Sequence, residues 1–341
     1  MNLAVEYALP FITVISFVLT YIALPPLIRK LEYKKFVSKD MNKETLRYAA
    51  KFGGVAVFLG FIVAFLLPLQ LAPQSISGSV LLGTALAISL IAFLGLADDL
   101  LDIPDLYRVI LPLFAALPLM LLKVGSAAIW LPIIGDINLY FGAVTLPLVG
   151  TLGLNIYILI LIPIGVIACS NLINLLAGFN GLEAGQGVII CISLALMLLL
   201  SGLNENKITM LFLVAAMCGA LCAFLVFNWY PAKVFPGNIL TYMLGAMVAA
   251  VAIVGGLEVA GAILLLPQII EFFLKARSRF QAENFGKCIN GRLHYDGPTY
   301  SLTHLLMKQF RPTEVQLVLM LYVVQIIAGV LALASILLLG L

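Results

Sequence analysis

Long apolar runs separated by short polar stretches recur from one end of the chain to the other. A window of about 20 apolar residues crosses the hydrocarbon of a bilayer as a helix. On that basis the pattern predicts ten spans, at residues 3–28, 53–72, 79–97, 108–123, 155–176, 185–202, 208–228, 238–256, 259–274 and 315–340. The stretch from Gly125 to Leu152 breaks the rhythm. It holds Pro132, the Gly135-Asp136 pair and an alternation in Asn138-Leu139-Tyr140-Phe141, which predict a small interfacial hairpin on the extracytoplasmic side. The first run is too long for a signal-peptide core and lacks a basic segment before it, so it reads as a retained span. The expected fold class is an all-α polytopic membrane protein, one integral membrane domain over 1–341, with cytoplasmic loops forming the site.

Composition agrees. Of 341 residues, 63% are hydrophobic and 10% charged, which excludes an ordinary soluble domain. The net charge of +3 is too small to argue for a nucleic-acid partner. Five cysteines form no CxxC pair; Cys218 and Cys222 share a helix face, a spacing of core packing rather than a metal site. With ten spans, 17 of the 19 Lys and Arg fall on one side, and only Lys123 and Lys207 lie opposite. The positive-inside rule makes the loaded side cytoplasmic and places both termini outside. Helix anchoring alone would explain those bases. It does not explain why Asp98, Asp99, Asp102, Asp105, Asn171, Asn174, Asn180, Glu183, Asn228 and Asn238 gather on the same face.

Four motifs carry chemistry. Asp98-Asp99 ends a span, with Asp102 a helical turn further on. Such a pair is either a solvated helix end, or a site that shares a divalent cation or sets one carboxylate as a base. Magnesium favours one or two carboxylates plus phosphate oxygens. Asn171 and Asn174 lie three apart on one helix face, before a run broken by Gly178 and Asn180-Gly181. Their amides can bridge helices, ligate a hard cation or donate to sugar hydroxyls. The turn Phe227 to Asn238 is aromatic and proline-rich, and places Asn238 as the N-cap of the next span. Arg277-Ser278-Arg279 would diverge on a helix but converge on an extended loop, where guanidinium groups grip phosphate in pairs.

These residues resemble the polyprenyl-phosphate N-acetylhexosamine-1-phosphate transferases, within them the branch of UDP-N-acetylglucosamine–dolichyl-phosphate N-acetylglucosaminephosphotransferases. The resemblance rests on Lys39-Asp40-Met41-Asn42-Lys43, Asp98 to Pro112, Asn171 to Gln186, Asn228-Trp229-Tyr230-Pro231 and Phe235-Pro236-Gly237. Bacterial peptidoglycan and enterobacterial-antigen relatives carry a histidine-rich motif. Here only His294 and His304 exist, unclustered, which favours the eukaryote-like branch; with the compact final loop it looks archaeal. The resemblance implies transfer of N-acetylglucosamine 1-phosphate from UDP-N-acetylglucosamine to dolichyl phosphate, releasing UMP, with Mg2+ as cofactor. The setting would be an archaeal plasma membrane, or the endoplasmic reticulum in a eukaryote.

Residue by residue, the resemblance makes Asp98 and Asp99 the acidic pair near the lipid phosphate, Asp102 the acid that follows, and Arg108 a phosphate contact in place of a lysine. Asn174 matches a magnesium ligand, and Asn171, Asn180 and Glu183 belong with the substrate. Ile167 to Leu175 line the lipid approach. Lys39, Asp40, Met41, Asn42, Lys43 and Lys51 meet the nucleotide, and Arg277 to Arg279 the diphosphate and sugar. Two departures stand out. Asn238 replaces a metal-ligating aspartate, keeping an oxygen but losing a charge, and Lys51 replaces an acid. A polar-solute transporter is the rival of another class, but its site would sit near the midplane in paired repeats. The same reaction with another UDP-N-acetylhexosamine is the closer rival. The oligomeric state stays open, a homodimer included.

Overall fold

A computed structural model describes residues 3–122, 128–131, 135–146 and 150–339. Helix α1 (Leu3–Tyr33) leads into a hairpin of β1 (Val37–Lys39) and β2 (Tyr48–Ala50), then α2 (Gly54–Leu66), α3 (Pro68–Leu71) and α4 (Gly78–Leu101). Next come α5 (Asp105–Ala115) and α6 (Leu117–Leu121), then two antiparallel ribbons, β3 (Ala128–Leu131) with β4 (Gly135–Asn138) and β5 (Tyr140–Leu146) with β6 (Gly150–Asn155). A π turn over Tyr157–Leu161 opens α7 (Ile162–Leu175). Then follow α8 (Leu182–Leu200), α9 (Glu205–Asn228), α10 (Gly237–Gly255), α11 (Glu258–Leu264) and α12 (Leu266–Ala276). A hairpin of β7 (Lys287–Ile289) and β8 (Arg292–His294), α13 (Leu302–Phe310) and α14 (Glu314–Leu339) complete the order.

Eight helices among the described residues are long and apolar enough to cross a membrane, and the α11–α12 pair, bent by 64°, is either a ninth, broken span or a re-entrant loop. The expected span at 108–123 is present only as a shorter apolar helix, Leu106–Leu121. Pro112 and Pro118 interrupt it, since each lacks a backbone donor and crowds the preceding turn. Pro267 has the same effect at the start of α12. The Leu264 carbonyl exposed by that bend accepts Gln325 Nε2 at 2.8 Å, and Gln325 Oε1 accepts Gln268 Nε2 at 2.8 Å. The expected interfacial hairpin is instead two ribbons; Lys123, Gly125 and Pro132 lie outside the described residues.

Helix α10 forms the centre of the bundle, with every residue from Ile239 to Gly255 buried. A helix apolar on all sides is stable only when protein or lipid surrounds it. It packs against α4 on one flank and α7 on the other. The N-terminal end of α10 thereby meets the C-terminal ends of α4 and α7. Both polar hairpins, β1–β2 and β7–β8, lie at this same end of the bundle, latched together where Glu44 accepts the Gly291 amide at 2.8 Å.

Candidate active site

The close contact of α4 and α10 is set by two glycines. A Cβ at Gly95 would lie 2.5 Å from the Asn238 carbonyl, and one at Gly237 would lie 2.5 Å from Asp99 Oδ2. Gly237 also has φ +71°, which disfavours any side chain. Asp99 reaches across this gap and accepts the Asn238 backbone amide at 2.7 Å. That corrects the expected role of Asn238. The helix starts at Gly237 with Pro236 as N-cap, so Asn238 lies inside the first turn and a carboxylate from another helix satisfies its amide.

Asp98, 2% exposed, faces inward. One oxygen accepts Arg108 Nε at 2.9 Å; the other accepts Asn238 Nδ2 at 2.8 Å and the Tyr242 hydroxyl at 2.9 Å. These three donors satisfy the buried carboxylate, which fixes the Arg108 fork in turn. Asn174 Oδ1 accepts the Thr241 hydroxyl at 3.0 Å, joining α7 to α10. Thr241 and Tyr242 were missed by sequence reasoning. Their spacing of three and four from Asn238 would have put them on its helix face.

Two cavities meet at Asn174. The larger, about 670 Å³, is lined by Ile167, Leu172, Phe272, Phe273 and Phe280, with Arg108, Asn171, Asn174, Tyr242 and Arg279 among its polar members. The smaller, about 250 Å³, is lined by Gly178, Phe179, Glu183, Phe235, Asn238 and Thr241. Asn174 lines both. Of the basic segment after α12, Arg279 lines the larger cavity. Arg277 does not line it, because the chain turns at once, with Arg279 at φ +53°, and is not extended as expected. Ser278 shapes that turn, donating to the Lys275 carbonyl at 2.8 Å and accepting the Ala282 amide at 3.2 Å. Asp102 caps α4 in the left-handed conformation with its side chain exposed. Asn171 donates to the Ile167 carbonyl of its own helix at 2.8 Å.

The loop after α7 is fixed from several directions. Asn284 Nδ2 donates to the Leu175 and Ala177 carbonyls at 2.9 and 2.8 Å, and Glu183 accepts the Gly178 amide at 2.8 Å. Asn228 accepts the Gly181 amide at 3.1 Å and donates to the Val234 carbonyl at 2.8 Å. Asn180 is buried, donating to Asp40 at 3.3 Å and accepting the Ala232 amide at 2.8 Å. Lys43 pairs with Asp40 at 3.0 Å and with Glu314 of α14, and its ammonium lies 4.6 Å from the Tyr230 ring centre. Glu314, unremarked in the sequence, also accepts the Asn180 amide at 2.9 Å. Lys39 and Met41 are exposed, Asn42 is buried, and Lys51 lies within electrostatic reach of Asp99. Beside this network burial pushes the Cys288 thiol up, and the Glu44 carboxylate adds to it. Among the described residues no group of three His, Cys, Asp or Glu could hold a metal.

Residues 81–256, which contain Asp98, Asp99, Asn174 and Asn238, match the model of glycosyl transferase family 4. The chain belongs to this family and is a membrane-embedded glycosyl-1-phosphate transferase. It is similar to a Saccharolobus solfataricus protein provisionally named UDP-N-acetylglucosamine–dolichyl-phosphate N-acetylglucosaminephosphotransferase, at 38% identity over 323 residues, 93% of this chain and 94% of the relative. The Dictyostelium discoideum enzyme of the same name is 30% identical over 231 residues, 61% of this chain and 54% of its own. The phospho-N-acetylmuramoyl-pentapeptide-transferase of Streptococcus mutans is 31% identical over 255 residues, 70% of each chain.

Proposed function

We propose that the chain transfers N-acetylglucosamine 1-phosphate from UDP-N-acetylglucosamine to a dolichyl-type phosphate, releasing UMP, at the cytoplasmic face of the membrane. The observation that carries this reading is the placement of Asn174 where an aromatic cavity with two arginines meets a smaller, glycine-edged one. A prenyl chain suits the first, with Arg108 and Arg279 taking its phosphate; a uridine diphosphate suits the second. The relatives named for these two substrates support the same assignment.

Transfer needs an oxygen of the lipid phosphate to bond to the β-phosphorus while the bond from that phosphorus to the bridging oxygen breaks, so that UMP leaves with the electron pair. Positioning and charge stabilisation dominate such chemistry. Asp98, with three donors, holds Arg108, Asn238 and Tyr242 in place. A lipid phosphate, its second pKa near about 6, is already largely ionised at neutral pH.

The residues present fit magnesium. Asn174 and Asn238, which both line the smaller cavity, bring amide oxygens to one wall, and this ion keeps waters and takes phosphate oxygens for the rest. Bound there, it would neutralise charge building on the diphosphate. The test is labelled UDP-N-acetylglucosamine with polyprenyl phosphate and the purified protein. UMP and lipid diphosphate-sugar are expected, and a chelator should abolish both. Flux of a solute without UMP release would sink the reading, and donor competition reads the sugar.

A further inference from the structure

We propose that Glu314 is a positioning residue for the nucleotide-sugar side of the site, acting through Asn180; this rests on the UDP-sugar reading above. Glu314 is 5% exposed at the first position of α14, far in sequence from every motif. One oxygen accepts the Asn180 amide at 2.9 Å and the other pairs with Lys43. Lys43 reaches Asp40 at 3.0 Å, and Asp40 accepts Asn180 Nδ2 at 3.3 Å, which closes a ring. Asn180 Oδ1 then fixes the Ala232 amide at 2.8 Å. Four separate segments are joined: the β1–β2 loop, the loop after α7, the turn before α10 and the start of α14.

Members of the ring line one space, and the loop that carries Asn180 lines another. Lys43 and Glu314 line an outer cleft of about 380 Å³, shared with Tyr230 and Cys288. On the inner side, Gly178, Phe179 and Glu183 belong to the cavity assigned to the nucleotide. Removing one member of a buried ion network strands the others. Without Glu314, the Asn180 amide loses its acceptor and Lys43 loses one of two anions. The loop from Gly178 to Gly181, which walls that cavity, then loses one of its anchors. The α4–α10 contact and the aromatic groove do not include Glu314, so the lipid side should be spared.

The experiment is steady-state kinetics of wild type, E314A and E314Q with both substrates varied. E314A should raise KM for UDP-N-acetylglucosamine about tenfold, with kcat and the lipid-phosphate KM within about twofold of wild type. E314Q keeps an acceptor for the Asn180 amide but not the charge facing Lys43, and should fall between. If E314A does not survive purification, a donor KM in E314Q at least about threefold above wild type supports the role and an unchanged one overturns it. Equal loss on both substrates, or an unchanged donor KM, overturns it with the functional reading intact. A wild type that releases no UMP overturns both.

Discussion

Asp98 and Asp99 are adjacent in sequence yet point about 100° apart on their helix, and their surroundings differ accordingly. Asp98 is saturated by Arg108, Asn238 and Tyr242, whereas Asp99 reaches across to the first turn of α10. The sequence shows the pair but not the division. Tyr242 and Thr241 sit in an otherwise apolar run, and Glu314 reads alone as an acid favoured at a helix start. Asn238 carries a prediction at this scale. Its amide lies 2.8 Å from Asp98, so N238D would replace that hydrogen bond by repulsion between two carboxylates, with Arg108 the one cation the described contacts give Asp98. In chelator, N238D should melt a few degrees below wild type. With magnesium the gap should close and turnover should at least equal wild type. A gap that magnesium leaves unchanged would place residue 238 outside the metal shell.

At the scale of elements, the apolar runs were legible because bilayer thickness fixes their length. The bend between α11 and α12 was not, since its carbonyl is satisfied by Gln325 from a helix some sixty residues later. The hairpins β1–β2 and β7–β8 were equally hidden: strands of three residues are too short to show alternation. The N-terminal turn of α10 was misread because its cap comes from α4 and not from its own chain. That interhelix contact is testable. G95A would drive a methyl into the Asn238 backbone, and overpacking of this kind costs about 1–3 kcal/mol. The variant should melt lower and lose most activity, whereas an unaffected enzyme would mean the helices separate freely.

For the whole molecule, the membrane class followed from composition, and the gathering of polar groups at one end followed from counting spans. Contacts of the α4, α7 and α10 ends bring part of that gathering together, while the described residues hold eight or nine candidate spans where ten were expected. The proposed sidedness rests on charge alone and makes its own prediction. An alkaline phosphatase reporter fused after α14 should be active outside the cell, and a fluorescent protein at the same point dark; the reverse would invert the assignment. The larger cavity has one more consequence. Phe272 and Phe273 are 39% and 64% exposed on α12, so under the proposed function a carrier lipid would enter this cavity sideways, from the bilayer. Its supply would then be two-dimensional: the concentration that enters the rate would be the carrier's mole fraction in the leaflet.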